Sequence, residues 1–459
     1  MEMHYDVIIV GGGPAGIFAA LELADSANVL LIEKGRDIDR RSCPMKEKEV
    51  QCVQCQPCSI TCGWGGAGAF SDGKLTLSTE VGGHLNEYIA EEKLIRLIKE
   101  VDQTYLDFGA PKKLYTIDNK QLEKFSREAT LAELYLQYSP IRHLGTGLSQ
   151  EVLKNMQDEL LQRGVQIKTN LTVRSILSEN STVTGVKTDN GCFYAPRVIV
   201  APGREGHEWF TETATSLGLE REINPVDIGV RVELPKVVME HLTDHLFESK
   251  YLYYSKTFED KVRTFCMCPG GEVVAENNSG LITANGHTRS DRKTENTNFA
   301  ILVSKNFTEP FKDPIKYGQY ISTLANMLGG GVIVQRLGDL IDGRRSTKDR
   351  MKKCLTRPTL TKATPGDLSL VFPYRHLVSI LEMLQALDKV APGVYSRNTL
   401  LYGAEVKFYS SRVKVDRNME TAIKGLYAIG DGAGITRGLM QASCSGVIAA
   451  RGILNNKNS

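Results

Sequence analysis

YDVIIVGGGPAGIFAALELADSANVLLIEK, from Tyr5 to Lys34, decides how the rest of the chain is read. Val7–Val10 is a continuous apolar run, the pattern of a parallel strand buried on both faces. Gly11, Gly13 and Gly16 follow at GxGxxG spacing and mark a tight turn from strand to helix. The helix carries an apolar face at Ile17, Ala20, Leu21 and Ala24, and a second strand, 29–32, ends in Glu33. Each piece has a physical reason. Glycine lacks Cβ, so a pyrophosphate can lie against the backbone of Gly11, Gly13, Pro14, Ala15 and Gly16 at the positive end of the helix. Glu33, about 20 residues further on, can accept ribose hydroxyls and would repel a 2′-phosphate, with Lys34 beside it. Strand, turn, helix, strand and acid stand in order, which predicts an α/β domain with a bound dinucleotide.

The 459 residues suffice for roughly two or three domain-sized cores. A hydrophobic fraction of 41% and a formal charge of +2 describe an ordinary globular protein and give no support to a nucleic-acid or anionic-membrane partner. No apolar run approaches the length of a membrane span. The apolar N-terminal strand lacks a basic flank and a cleavage site, so it is not read as a signal peptide. Ten cysteines without a secretory signal point to metal or redox chemistry in a cytoplasmic protein rather than to a disulfide framework.

Outward from the first turn, helical spacing runs over 91–108, 121–136 and 149–163, the last with Ser149 as N-cap and Gly164 as stop. Short strands at 165–169, 173–178, 183–188 and 192–195 are punctuated by Asn180 and Asn190-Gly191 and predict a meander, followed by a buried strand in RVIVAPG, 197–203. Between about 221 and 400, alternating strands such as 227–234 mix with helices at 315–327 and 377–390, and no second strand–GxGxxG–helix unit occurs. The C-terminal 425–454 returns to strand, glycine turn and a helix of small residues.

The densest chemistry lies between Cys43 and Cys62. Cys52-x2-Cys55-x2-Cys58-x3-Cys62 has the spacing of a bacterial-type [4Fe–4S] run, and Cys43 competes with Cys62 for the fourth ligand. Structural zinc and redox thiols fit the same residues. Five glycines in GWGGAGAFSDGKL, 63–75, suggest a loop pressed against a ligand or another backbone. In RTFCMCPGG, 263–271, a strand would put Cys266 and Cys268 on one face as a candidate reactive pair. Arg345, next to Arg344, could clamp a carboxylate.

TAIKGLYAIGD, 421–431, adds the decisive second motif. Its strand delivers Gly430 and Asp431 to the carboxyl edge of the sheet, where open α/β folds bind ligands. Together with the N-terminal turn, the chain resembles the glutathione-reductase-like two-dinucleotide flavoprotein superfamily, whose Thr-x6-Ala-x-Gly-Asp pattern is matched by Thr421, Ala428, Gly430 and Asp431. The resemblance implies FAD, with Asp431 on the ribityl chain and Ala201 and Gly203 in the superfamily's Ala-x-Gly strand end. Gly438, Met440, Gln441 and Ala442 open the last helix, whose amides would face the flavin pyrimidine edge.

More narrowly, the chain is similar to a FAD-dependent dehydrogenase family of bacteria and plastids, through Cys43-Pro44-Met45, the cysteines after it, the segment Gly65, Gly66, Ala67 to Lys74, and Arg263–Gly271. That family implies a flavin oxidoreductase and names no substrate; geranylgeranyl reductases share the single nucleotide domain. The expected architecture is a Rossmann-like FAD-binding domain, a parallel sheet plus three-strand meander, from 1–84, 142–220 and 400–459. An inserted α+β substrate domain takes 85–141 and 221–399, and 43–62 forms a cysteine-rich loop. Three functions follow. The first is redox chemistry on a small-molecule substrate, with a ferredoxin or flavodoxin donor feeding FAD through a [4Fe–4S] cluster. The second is a flavin disulfide reductase, for which Cys58 and Cys62 are spaced one residue too closely. The third is a redox sensor or electron-transfer flavoprotein.

Overall fold

Five strands line up side by side in parallel in the computed structural model, which describes residues 4–457 other than 45–52, 54, 72, 146, 247, 279, 289–292, 308–309, 312 and 409–410. Their order is Leu426–Ala428, Val198–Val200, Val7–Val10, Val29–Ile32 and Gln166–Lys168. The first four are buried at every residue, as all-apolar runs in a sheet covered on both faces must be. The strand order reverses between Val7–Val10 and Val198–Val200, so the crevice at their carboxyl ends is the switch point at which such sheets take ligands. Helix Pro14–Leu23 runs against helix Leu439–Lys457 so closely that a Cβ on Gly446 would stand 2.1 Å from the Ala15 carbonyl oxygen.

The chain divides into two units. The first comprises Met1–Leu114, Ser139–Asn224 and Tyr409–Ser459; the second comprises Tyr115–Tyr138 and Pro225–Phe408. The compact units differ from the expected boundaries at 85–114 and 400–408, and by three or four residues at 139–141 and 221–224. Residues 85–114 sit in the first unit, because helix Glu91–Asp107 buries Leu94, Leu97, Ile98, Val101 and Tyr105 in that unit's core, with Tyr105 Oη 3.0 Å from Ser443 Oγ. Residues 400–408 sit in the second, where strand Leu400–Lys407 pairs with Val226–Pro235.

Gln166–Lys168 joins the parallel sheet, and Val173–Glu179, Thr182–Thr188 and Gly191–Tyr194 form the expected three-strand meander as an antiparallel sheet of their own. Other differences are local. The helix expected over 121–136 is Asn119–Leu131, capped by Asp118 accepting from the Gln121 amide. It stops before Glu133, at φ +64°, and the chain re-enters as strand Tyr135–Gln137. Ser149 is not the N-cap of its helix: Leu148–Gln162 begins after Gly147, and Ser149 Oγ donates back to the Gly145 carbonyl.

The second unit is built on an eight-stranded sheet. Its central strand, Val226–Pro235, pairs antiparallel with Asn296–Lys305 from Val226↔Lys305 to Pro235↔Asn296. Helices Pro314–Gly329 and Tyr374–Val390 cover it with Ile321, Ala325, Ile380, Met383, Leu384 and Leu387 in the core. Among the described residues no helix is long and apolar enough to cross a membrane.

Candidate functional site

The first turn divides its glycines by what surrounds them. A Cβ on Gly11 would stand 2.1 Å from the Ala201 carbonyl oxygen, and one on Gly16 would stand 2.0 Å from that of Gly11. These positions are glycine because the fold leaves no room. Apart from its chain neighbours, a Cβ on Gly13 would meet nothing nearer than Gly66 Cα at 4.0 Å. The middle glycine thus faces space the protein does not fill. Beside it stand the Ala15 and Gly16 amides, which a helix leaves without an internal partner, and Pro14, which sits where no N–H is needed. Open space, unpaired amides and the helix dipole together fit a pyrophosphate.

Glu33 is buried and holds this turn together. Its Oε2 accepts from the Gly12 amide at 2.8 Å, and its Oε1 accepts from Gly35 at 2.8 Å and Gly63 at 2.9 Å. A carboxylate offers roughly four acceptor sites, so about one is left for a ribose hydroxyl. Lys34 is half-buried next to it.

The end of the cysteine segment is wedged onto the same turn. The Gly65 amide donates to the Gly12 carbonyl at 2.7 Å and the Trp64 amide to the Arg36 carbonyl at 3.0 Å. Trp64 is fully buried, its indole N–H donating to the Leu153 carbonyl at 2.7 Å. The loop winds around Arg41, 7% exposed, whose guanidinium donates to the carbonyls of Ser59, Ile60, Trp64 and Gly66 at 2.6–3.0 Å. Burial pulls the Arg41 guanidinium down to about 10 against the pull of Glu33, Cys62 and Cys58. Ala67 lies half-buried in the single turn Gly66–Phe70.

Of the five candidate ligands, Cys43, Cys55 and Cys58 are half-buried and Cys62 is buried, while Cys52 lies outside the described residues. Burial pushes the Cys62 thiol up to about 12 despite Lys34 nearby. Among the described residues no three His, Cys, Asp or Glu side chains are grouped to hold a metal ion. The described cysteines therefore do not by themselves fit a cluster or a zinc site.

At the carboxyl edge, the second motif meets the first. A Cβ on Gly430 would lie 3.1 Å from Ala15 Cβ, at the start of the first helix, and Asp431 Oδ1 accepts from Thr436 Oγ1 at 2.7 Å. Gly203, at φ +61°, has nothing within 4 Å of a built Cβ. Gly438 precedes the long last helix, opposite Gly82; Met440 and Ala442 are buried in the core. Gln441 is fully buried and ties a loop instead: its Nε2 donates to the carbonyls of Thr79 at 3.3 Å and Val81 at 3.1 Å.

The second unit holds a charged cluster that sequence reasoning missed. Arg231 and Glu405 are both 0% exposed, with Arg231 Nη1 3.6 Å from Glu405 Oε1 and Lys407 Nζ 3.1 Å from the same oxygen. Neither contact has hydrogen-bond geometry: Arg231 Nη1, both Glu405 oxygens and Asn298 Nδ2 are buried without a hydrogen bond. Arg231 Nε donates to Asn298 Oδ1 at 2.8 Å, and Nη2 donates to the Cys266 carbonyl at 2.7 Å and to Cys268 Sγ at 3.2 Å. Burial works against the Arg231 charge, but Glu405, Cys268 and Cys266 more than offset it and hold the guanidinium above its usual range. The signal was present in DIGVRVEL and LLYGAEVK, where charges interrupt strands that are otherwise apolar.

Two sequence-derived candidates, Cys266 and Cys268, are thus brought together with this cluster. The arginine pair is split: Arg344 is occupied by Asp339 at 3.1 Å and Asp342 at 2.9 Å, whereas Arg345 is exposed. No carboxylate clamp forms from the two.

Comparison with known proteins places names on both units. Residues 6–40 match the FAD binding domain model, and residues 225–408 match a model described as FAD-dependent protein, C-terminal domain-like. A Clostridium beijerinckii protein described as uncharacterized is 28% identical over 479 residues, covering 99% of this chain and 81% of its own. Protein FixC of Escherichia coli K12 is 25% identical over 247 residues, covering 52% of this chain and 46% of FixC. Among solved structures, L-proline dehydrogenase from P. horikoshii matches at a TM-score of 0.41 and 13% identity, covering 99% of this chain and 95% of that one. The Rhodococcus jostii 3-ketosteroid-delta4-(5alpha)-dehydrogenase matches at 0.46 and 14%, covering 98% and 97%. These structural likenesses are too loose to carry substrate or mechanism. The two matches, both to FAD proteins, fall on a chain whose parallel sheet carries an open glycine turn at its switch point, and FAD is the cofactor they share with it.

Proposed function

We propose that the protein oxidises or reduces a small organic molecule at an FAD whose pyrophosphate lies on the Gly11–Gly16 turn. The observation that carries this reading is the glycine division: Gly11 and Gly16 are demanded by packing, but Gly13 is left against empty space. Bound FAD supplies the hydride or single-electron chemistry. The chain's residues do the rest. The Ala15 and Gly16 amides meet the pyrophosphate charge, and Glu33 offers its remaining acceptor site to the ribose. Asp431 accepts from the ribityl chain, and the first amides of helix Leu439–Lys457 favour negative charge at the pyrimidine end. The second unit, 115–138 and 225–408, carries the substrate-binding residues.

With a single strand–GxGxxG–helix unit in the sequence, the electron donor in this reading is a ferredoxin or flavodoxin rather than a nicotinamide nucleotide. No step is routed through a metal centre on the cysteine loop, because the described cysteines do not assemble one. Purified protein, denatured to release its flavin, should yield stoichiometric FAD; a chain that carries none and takes up none from added FAD refutes the reading. Reduced ferredoxin or flavodoxin should reduce the bound flavin faster than NADH or NADPH, and the opposite order refutes the donor.

A further inference from the structure

Strand Lys261–Cys268 loses register with its neighbour Asn296–Lys305 between Phe265 and Cys268, and Cys266 sits at φ +48° within that break. Residues two apart in a regular strand are separated by roughly 6.6 Å along it. At this bulge the two thiols are drawn to Sγ···Sγ 3.9 Å. A bulge that re-aims side chains is a costly, specific feature, since a non-glycine residue must adopt a left-handed conformation to make it. The two sulfurs differ in surroundings. Cys268 is fully buried, with a guanidinium N–H of Arg231 3.2 Å from its Sγ. A neighbouring cation stabilises thiolate over thiol. Cys266 is only half-buried and is the one a reagent from solvent meets first.

We propose that Cys266 and Cys268 are a thiol–disulfide exchange site, taking a small organic disulfide as oxidant and closing a reversible Cys266–Cys268 bond. Cys266, after losing its proton to water, attacks one sulfur of the disulfide RSSR. That S–S bond breaks, RS⁻ leaves, and a mixed disulfide stands on Cys266. Cys268, its proton likewise passed to water, attacks Cys266 Sγ beside the Arg231 guanidinium; the mixed bond breaks, and the second RS⁻ leaves. Both RS⁻ groups take up protons, so two electrons pass from the two protein thiols to RSSR, giving two RSH and one protein disulfide. The step uses no flavin, and it stands or falls independently of the cofactor.

Closure has a local consequence. In the disulfide, Cys268 Sγ can carry no negative charge, and Arg231 is left with Glu405 and Asn298 as side-chain partners in a site with no exposure. Removing one partner of a buried charge is strongly destabilising. The disulfide state should therefore unfold at lower denaturant than the dithiol state, reversing the usual effect of a cross-link.

The test is peptide mapping of the full chain after equilibration with glutathione disulfide and alkylation of the remaining thiols. Trypsin releases residues 264–289, in which Cys266 and Cys268 are the sole cysteines. The expected peptide is unalkylated and two hydrogens lighter than the dithiol form, and excess reduced glutathione restores alkylation at both positions. Cys268→Ser should trap glutathione on Cys266, whereas Cys266→Ser should leave Cys268 unmodified in folded protein. Alkylation of both cysteines in the oxidised wild type, or a bond from either to a different cysteine, overturns the proposal. A glutathione adduct on Cys268 in the folded Cys266→Ser variant overturns the order of attack.

Discussion

Gly13→Val separates binding from folding at a single position. In the structure Gly13 has φ −83° and ψ 179°, extended angles that valine adopts readily, and a Cβ there meets no atom closer than 4.0 Å. The cofactor-free chain should therefore fold with a stability within about 0.5 kcal/mol of the wild type. With FAD the branched side chain stands where the pyrophosphate must lie. Two charge-assisted bonds from the first turn are lost at about 1.5–3 kcal/mol each, or about 3–6 kcal/mol in all. That corresponds to a roughly hundredfold to ten-thousandfold rise in Kd. Released flavin, measured by absorbance, should be close to nil in the purified variant, and titration of apoprotein with FAD should give the Kd directly. Thermal unfolding of both apoproteins is the control. Unchanged FAD affinity would show that the pyrophosphate lies elsewhere. An equal loss of apoprotein stability would show that Gly13 is there for the fold, and the reasoning would fail.

Gly16→Ala should do the opposite and cost stability even without flavin, since its Cβ would meet the Gly11 carbonyl oxygen at 2.0 Å; a melting temperature equal to wild type in the apoprotein contradicts the packing argument. Arg41→Ala removes the donor to four backbone carbonyls and should cost about 3–5 kcal/mol, the scale of breaking a buried charged group from its partners. Limited proteolysis should then cut first within 55–66, and a wild-type cleavage pattern speaks against Arg41 as the loop's support. His376 is 3% exposed with neither ring nitrogen hydrogen-bonded; burial, aided by Lys305, depresses it to about 4 from 6.5. The unfolded chain then binds the extra proton between these values, so stability should fall by up to about 3 kcal/mol as pH drops from 6.5 to 4. Urea midpoints across that range should flatten in His376→Leu, and an unchanged slope assigns the effect to other groups.

The parallel sheet was legible because its strands are apolar without interruption, a pattern that needs cover on both faces. The two glycine motifs were legible because strand, turn and helix follow at fixed spacing, and Gly430 does approach Ala15. What stayed hidden depends on partners far apart in sequence. Nothing near Arg41 announces that residues 59–66 will wrap around it, and Gln441 looks like a helix-start residue until Thr79 and Val81 supply its acceptors. The split of Arg344 from Arg345 follows from Asp339 and Asp342, which adjacency in sequence does not reveal. Ser149 was a fair cap by residue type, but Gly147 permits an earlier start to the helix. Arg231, Glu405 and Cys268 lie on three strands, and only the register of the large sheet brings them together.

Glu33 has a consequence for altering cofactor preference. In dinucleotide folds the acid after the second strand is the residue that meets the adenosine ribose. Here the carboxylate is also a rivet joining three stretches of backbone, at Gly12, Gly35 and Gly63. Replacing it by a neutral or basic side chain would strand three buried amides, each at about 1–3 kcal/mol. Any lineage that tried to change ribose preference at this position would first have to rebuild the loop that rests on it. In the proposed reading, where the same carboxylate also accepts a ribose hydroxyl, retuning that contact would have to begin at the loop.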